Sequence, residues 1–184
     1  ALPRATDIAR QLMVVYVGLT VICIATYSAI GMTALDAVVN GFATIATGGF
    51  SPSDVSFAKY SGAGEYAGTL FMILGSLPYI RYVQLVNGSA RPLWQDSQAR
   101  AYLRWLAYAV LSVTLWRVWT TGEPLEPAFR EALFNLTSIM SSTGFFSGSF
   151  PTWGGFMLVV AFVIGVIGAC SGSTANAARP TSCS

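Results

Sequence analysis

Apolar positions along this chain fall in long uncharged runs, not in the alternation of a half-buried strand or the narrow stripe of a soluble helix. Residues 11–35 carry no charge, bounded by Arg10 and Asp36. A membrane-crossing helix needs about 20 apolar residues, and the stretch 11–32 meets that length. A signal-peptide core, about 7–15 residues long, is shorter. A second span is predicted over 65–86, with Arg81 inside it, and a third over 100–121, with Arg117 near its far end. Residues 132–178 are uncharged throughout. That run is too long for one helix, and Ser, Thr and Gly interrupt it, so it must turn back on itself.

Two shorter apolar segments are too short to cross and suit re-entrant half-helices. The first, 33–46, leads into Thr47-Gly48-Gly49-Phe50-Ser51; the second, 128–141, leads into Ser142-Thr143-Gly144-Phe145. They match at an offset of 95 residues: Asp36-Ala37 with Glu131-Ala132, Asn40 with Asn135, Thr47 with Ser142, Gly49 with Gly144, Phe50 with Phe145. Internal repetition decides the fold class. The expectation is an all-α integral membrane protein built of repeated units, each a helix, a re-entrant pore half-helix, a filter loop and a second helix, in the manner of potassium channels. Residues 1–86 form the first unit, with filter 47–51. A cytoplasmic linker covers 87–99. Residues 100–175 form a second, incomplete unit, with filter 142–145 and a broken helix over 153–175, and 176–184 is an atypical tail.

Composition sharpens this picture. Hydrophobic residues make up 54% of the 184 and charged residues 10%, against about 25% charged in a soluble domain. The net charge of +2 leaves no basic footprint for nucleic acid. There is no histidine, which removes the commonest general base and metal ligand. Cys23, Cys170 and Cys183 have no framework spacing and read as incidental. Arg4, Arg10, Arg91, Arg100 and Arg104 gather on one side of the spans; Asp36, Asp54, Glu65, Glu123, Glu126 and Glu131 dominate the other. The positive-inside rule puts the N-terminus and the linker in the cytoplasm, and both glycine loops then face outward beside an acidic rim.

Irregular backbone at membrane depth is tolerated where it is buried in protein or lines a water-filled cavity. Carbonyls at a half-helix C-terminus carry partial negative charge, and the loop beyond can replace an ion's hydration shell. Glycine permits the backbone conformations required. Thr47, Gly48, Gly49, Ser142, Thr143 and Gly144 are therefore the expected ion-binding residues, with Phe50 and Phe145 wedging the loops against neighbouring helices. A second unusual stretch joins Gly165 and Gly168 to Cys170, Ser171, Gly172, Ser173 and Thr174. It reads equally as a flexible gate below the filter or as small-residue helix packing.

Among the remaining candidates, Asp36 and Glu131 are expected to open the half-helices, where carboxylates favour the N-terminus. Arg81 sits near the cytoplasmic end, where snorkelling accounts for it. The sequons at Asn87 and Asn135 fall in a cytoplasmic and an embedded segment. Trp94, Trp105, Trp116, Trp119 and Trp153 lie near span ends as interfacial anchors.

With Phe42-Ala43-Thr44-Ile45-Ala46-Thr47-Gly48-Gly49-Phe50-Ser51, Met140-Ser141-Ser142-Thr143-Gly144-Phe145 and Gly168-Ala169-Cys170-Ser171-Gly172-Ser173-Thr174-Ala175, the chain resembles the Trk/Ktr/HKT superfamily of potassium transporters, most closely its bacterial TrkH-like branch. The order and spacing look like the second and third of four pore repeats. The resemblance implies one pore ringed by four filter glycines, Gly49 and Gly144 among them, and an intramembrane gating loop at Gly168, Cys170, Ser171, Gly172, Ser173 and Thr174. It also implies a bacterial inner-membrane homodimer bound to a cytosolic ring of nucleotide-binding regulatory subunits. Two repeats cannot close a four-fold filter, and Ala175–Ser184 departs from the family pattern, so the chain reads as a fragment.

The expected function is transport of a monovalent cation, potassium with sodium possible, with no covalent cofactor and no catalysis. A serine or cysteine hydrolase at Cys170, Ser171 or Ser173 lacks a base. A potassium-channel tetramer would carry a longer Thr-Val-Gly-Tyr-Gly type filter. A non-conducting membrane scaffold is the remaining alternative.

Overall fold

The structure is a computed structural model that describes residues 5–77, Tyr82 and 97–172. Helix α1 spans Ala5–Ala29 and α2 Ala34–Ile45. A 3-10 turn, Ser56–Tyr60, leads into α3, Ala63–Ser76. The second unit opens with α4, Ser97–Thr121, and α5, Leu125–Met140. A 3-10 turn at Phe150–Thr152 precedes α6, Gly155–Gly172. Among the described residues no strand occurs. Each unit therefore runs long helix, half-helix, irregular loop and returning helix, in the order the repeat predicts.

The first half-helix starts where its cap dictates. Thr33 is extended and its hydroxyl accepts the Asp36 N–H at 3.2 Å, satisfying one orphan donor. The second starts a turn earlier than the expected 128, because Pro124 and Pro127 flank a first turn that needs no N–H from them. Glu131 consequently lies nearly two turns inside α5 and does not open it. The predicted span 65–86 also changes: α3 stops at Ser76, and Leu77 is extended with ψ 151°. Leu77 precedes Pro78, whose ring disfavours helical backbone in the residue before it. Tyr82 is helical, and its hydroxyl donates to the Leu74 carbonyl at 2.7 Å. Arg81, Asn87, Trp94, Cys183, nearly all of the linker and the whole tail lie outside the described residues.

Among the described helices, one is both long and apolar enough to cross a membrane by itself, Thr6–Ala29, with mean hydropathy 2.0. Helix α4 matches it in length but carries Arg100, Arg104 and Arg117. Two buried clusters hold the units. The first joins Tyr27, Phe57, Phe71 and Met72 of the first unit to Phe134 and Phe145 of the second. The second packs Leu106 and Val110 of α4 against Leu136 of α5 and Met157 of α6. Outward faces stay apolar: Val14, Val17 and Val21 on α1, Leu111 and Leu115 on α4, Leu158 and Phe162 on α6 are all exposed. Contiguous exposed apolar surface of this kind marks membrane or protein contact.

Candidate pore loops

Both half-helices end in the same closure. In α2 the Gly48 N–H returns to the Ala43 carbonyl at 2.7 Å and the Thr47 N–H to the Thr44 carbonyl at 3.2 Å. In α5 the Thr143 N–H returns to Ser138 at 2.9 Å and the Ser142 N–H to Ile139 at 3.0 Å. These are matched Schellman motifs, residue for residue at the 95-residue offset. The left-handed position of such a motif is usually glycine, but here Thr47 (φ +50°) and Ser142 (φ +59°) occupy it. Left-handed backbone costs a side-chain-bearing residue about 1–2 kcal/mol, and strain of this kind concentrates where function requires a geometry.

Two residues further on, Gly49 (φ +70°) and Gly144 (φ +88°) are left-handed again. The loops abut: a Cβ placed on Gly49 would stand 2.1 Å from the Thr143 carbonyl oxygen and 3.5 Å from the Gly144 carbonyl carbon. Only a Cα hydrogen fits there, which suits a weak Cα–H···O contact. A Cβ on Gly144 would meet nothing within 4 Å. Among the described residues no donor hydrogen-bonds the backbone carbonyls of Thr47, Gly48, Gly49, Ser142, Thr143 or Gly144. The two closures thus use carbonyls inside the helices and bring no N–H donor to those of the loops, of which the Thr143 carbonyl faces Gly49.

The returning helices press on these closures. A Cβ on Gly75 of α3 would lie 3.2 Å from the Ile45 carbonyl oxygen, and one on Gly168 of α6 would lie 2.1 Å from the Met140 carbonyl oxygen. Ile45 and Met140 are equivalent at the repeat offset. Gly168 therefore provides close helix packing, the second of the two readings of this stretch. The expected break is not found between 155 and 172: α6 is one helix through Gly168, Cys170, Ser171 and Gly172. Ser173 and Thr174 lie outside the described residues.

Carboxylates fasten the loops differently in the two units. Asp36 accepts the Tyr60 hydroxyl and pairs with Lys59 at 3.0 Å. The Tyr60 and Lys59 hydrogen bonds hold its carboxyl below the ordinary range, and Asp36 in turn raises Lys59. Glu131 pairs with Arg117 at 3.0 Å and accepts the Ser149 N–H at 3.2 Å and its hydroxyl at 2.9 Å. Arg117 is 2% exposed, lies 4.5 Å from the Trp153 ring centre, and bonds Glu123 at 2.5 Å and the Ser149 hydroxyl at 2.9 Å. Asn135 clamps the loop from behind, donating to the Ser147 carbonyl and accepting the Ser147 N–H, both at 3.0 Å. The Oδ1 of its equivalent Asn40 has no partner among the described residues. Pro52 stands at the position of Ser147 and has no N–H to offer.

Three expectations change here. Phe145 is buried against Phe57, with ring centres 4.7 Å apart, but Phe50 is 77% exposed, since within this chain only the second loop has a preceding unit to receive its ring. Glu65, expected on an acidic rim, is 1% exposed. Its carboxylate accepts the Ser147 hydroxyl and the Gly62 N–H at 2.8 Å, and pairs with Arg130 at 3.0 Å. Trp153 is buried beneath Arg117 and does not face an interface. Charges set among apolar helices are expected to be paired, and Glu65, Arg117, Arg130 and Glu131 all are.

Half-helices closed by left-handed turns, set between longer helices in two repeated units, are the architecture of a pore-loop membrane transporter. The family sequence model described as TrkH, cation transport protein, matches residues 1–183. The chain belongs to this TrkH family of cation transport proteins. It is 36% identical over 177 residues to the Trk system potassium uptake protein TrkI of Halomonas elongata, covering 95% of this chain and 36% of that protein. It is 30% identical over 176 residues to the Trk system potassium uptake protein TrkH of Escherichia coli, covering 94% of this chain and 36% of that protein. The crystal structure of the potassium transporter TrkH from Vibrio parahaemolyticus superposes with a TM-score of 0.85 at 29% identity, over 95% of this chain and 38% of that one. The chain thus spans about a third of the length of the curated relatives it matches.

Proposed function

We propose that the protein carries potassium across the bacterial inner membrane, and that this chain supplies two units of the ring of loops that selects the ion. The observation that carries the reading is the abutment of Gly49 on Thr143 and Gly144, beside six loop carbonyls without a hydrogen-bond donor among the described residues. Main-chain oxygens held in place by strained turns can replace the hydration shell of a monovalent cation. The same ion is named for the potassium uptake proteins TrkI and TrkH that the chain resembles.

In this reading Thr47, Gly48, Gly49, Ser142, Thr143 and Gly144 bind the ion. The open space at Gly144 receives the loop of a further unit, as Thr143 receives Gly49. The N-terminus and the 87–99 linker face the cytoplasm, where arginines gather. The gating loop is assigned to Gly168, Cys170, Ser171, Gly172, Ser173 and Thr174, of which Ser173 and Thr174 lie outside the described residues. The resemblance further assigns a homodimer and a ring of cytosolic nucleotide-binding subunits.

The test is growth at low potassium of an uptake-deficient bacterium expressing the full reading frame that encodes this chain. Restored growth, abolished by Gly49→Ser and by Gly144→Ser, is expected. Equal growth with these variants would leave the scaffold reading in place.

A further inference from the structure

Three consecutive residues just past Gly144 are gripped from the first unit. The Phe145 ring packs on Phe57. The Phe146 N–H donates to the Ser56 hydroxyl at 3.3 Å and its carbonyl accepts the Phe57 N–H at 3.2 Å. The Ser147 hydroxyl donates to Glu65, while its backbone is held by Asn135. The first two contacts are a tilted ring pair and two bonds at the Phe146 backbone, one to the Ser56 hydroxyl and one from the Phe57 N–H. The third is a fully buried carboxylate, satisfied by a hydroxyl, a backbone N–H and the Arg130 guanidinium.

A buried ion pair is weak evidence for stability, since desolvation offsets much of the attraction. Its best-attested use is to fix one arrangement among several apolar alternatives. Glu65 lies at the start of α3 in the first unit, Arg130 on the half-helix of the second, and Ser147 three residues beyond Gly144. The carboxylate therefore couples the returning helix of one unit to both the half-helix and the loop exit of the next. The 95-residue offset puts Val160 at the equivalent place in the second unit, so the device belongs to this junction and is not copied within the chain.

We propose that Glu65 is a positioning residue for the second pore loop: through Ser147 and Arg130 it sets where the Ser142, Thr143 and Gly144 carbonyls stand, and thereby the preference among monovalent cations. This rests on the transport reading above. A carboxylate that touches no ion acts here through the loop it tethers. Discrimination between ions of similar charge depends on the placement of coordinating carbonyls, so loosening the tether alters preference more than throughput.

The experiment uses the full reading frame, in the wild type and with Glu65→Ala, Glu65→Gln and Ser147→Ala. Potassium and sodium uptake are measured per molecule of membrane-inserted protein, beside amide exchange over 145–149. Ser147→Ala keeps the Arg130 pair and the Asn135 clamp, so it tests the tether even where Glu65→Ala fails to insert. The expected result is a fall of roughly threefold or more in potassium-over-sodium preference for Ser147→Ala, with faster exchange at 145–149. Glu65→Gln, which retains an acceptor for Ser147, is expected to stay nearer the wild type than Glu65→Ala. Lower abundance with unchanged preference in Ser147→Ala overturns the proposal and leaves the transport reading intact. A wild-type protein that carries no potassium overturns the transport reading instead; there, unchanged amide exchange in Ser147→Ala sinks the tether independently.

Discussion

The two pore loops share a backbone but not a means of support. Both half-helices close through the same pair of Schellman bonds, and both loops hold left-handed residues at matched positions. Behind the second loop stands a buried polar frame: Asn135 on Ser147, Glu131 on Ser149, Arg117 between Glu131, Glu123 and Trp153, and Glu65 reaching across from the first unit. Behind the first loop stand an Asn40 Oδ1 without a partner among the described residues and an ion pair whose Lys59 is half exposed. The shared closure shows what a loop of this shape requires. The unequal frames show that fastening depends on the neighbour each loop has: the second is received by the first unit, while the counterpart Phe50 is exposed.

That contrast is open to attack, the strongest blow first. Arg117→Met leaves Glu131 without its buried cation, so it is expected to destabilise the folded protein by about 3–5 kcal/mol. Lys59→Met, at the corresponding exposed pair, should leave the melting temperature within experimental scatter. Thermal melts of both variants in detergent decide it, and equal losses would erase the distinction. Gly49→Ala comes next. It adds left-handed strain of about 1–2 kcal/mol to a collision with the Thr143 carbonyl, where overpacking costs about 1–3 kcal/mol. Gly144→Ala meets only the strain among these residues. A melting loss for Gly144→Ala as large as for Gly49→Ala in the intact protein would locate a further strand against it, as the proposed ring of loops requires.

Asn135→Ala strips partners from the buried Ser147 N–H and carbonyl, an expected loss of about 2–4 kcal/mol. Asn40→Ala removes an acceptor that has no partner among the described residues and should cost about 1 kcal/mol or less. A double comparison with Pro52→Ser sharpens this, since a restored N–H would make Asn40→Ala costlier. The smallest effect is that of pH on the first loop. Asp36 is held below its ordinary value, so its contribution is present above about pH 4 and fades as pH falls through its lowered value. Lys59 is raised, so its contribution is full below its ordinary value and fades only as pH rises past the raised one. The pair is therefore constant through neutral pH, and Asp36→Asn should flatten the acid limb of a melting-temperature profile.

Much of the architecture was legible in the residues because it rests on local signals. Thr33 before Asp36 marks a capped start, and the repeated Gly49 and Gly144 mark left-handed turns at a fixed distance from each half-helix. Two prolines set helix ends that the apolar pattern alone did not: α3 stops at Ser76, two residues before Pro78, and α5 begins right after Pro124. The small-residue stretch, open to reading as a gate or as close packing, is helix as far as Gly172, with Gly168 in close contact with the Met140 carbonyl. Hidden altogether was the pairing of distant charges. Glu65 and Arg130 are 65 residues apart, and only the packing of α3 on α5 brings them together. Ser147 carried no signal until the Asn135 clamp gave its position a purpose.

The most direct measurement is anomalous scattering from a heavy potassium substitute, rubidium or thallium(I), in crystals of the intact protein. An ion peak within coordination distance of the backbone oxygens of Thr47, Gly48, Ser142 or Thr143 is the predicted result. Ion density confined to other parts of the molecule, with these carbonyls touching only water, would contradict it.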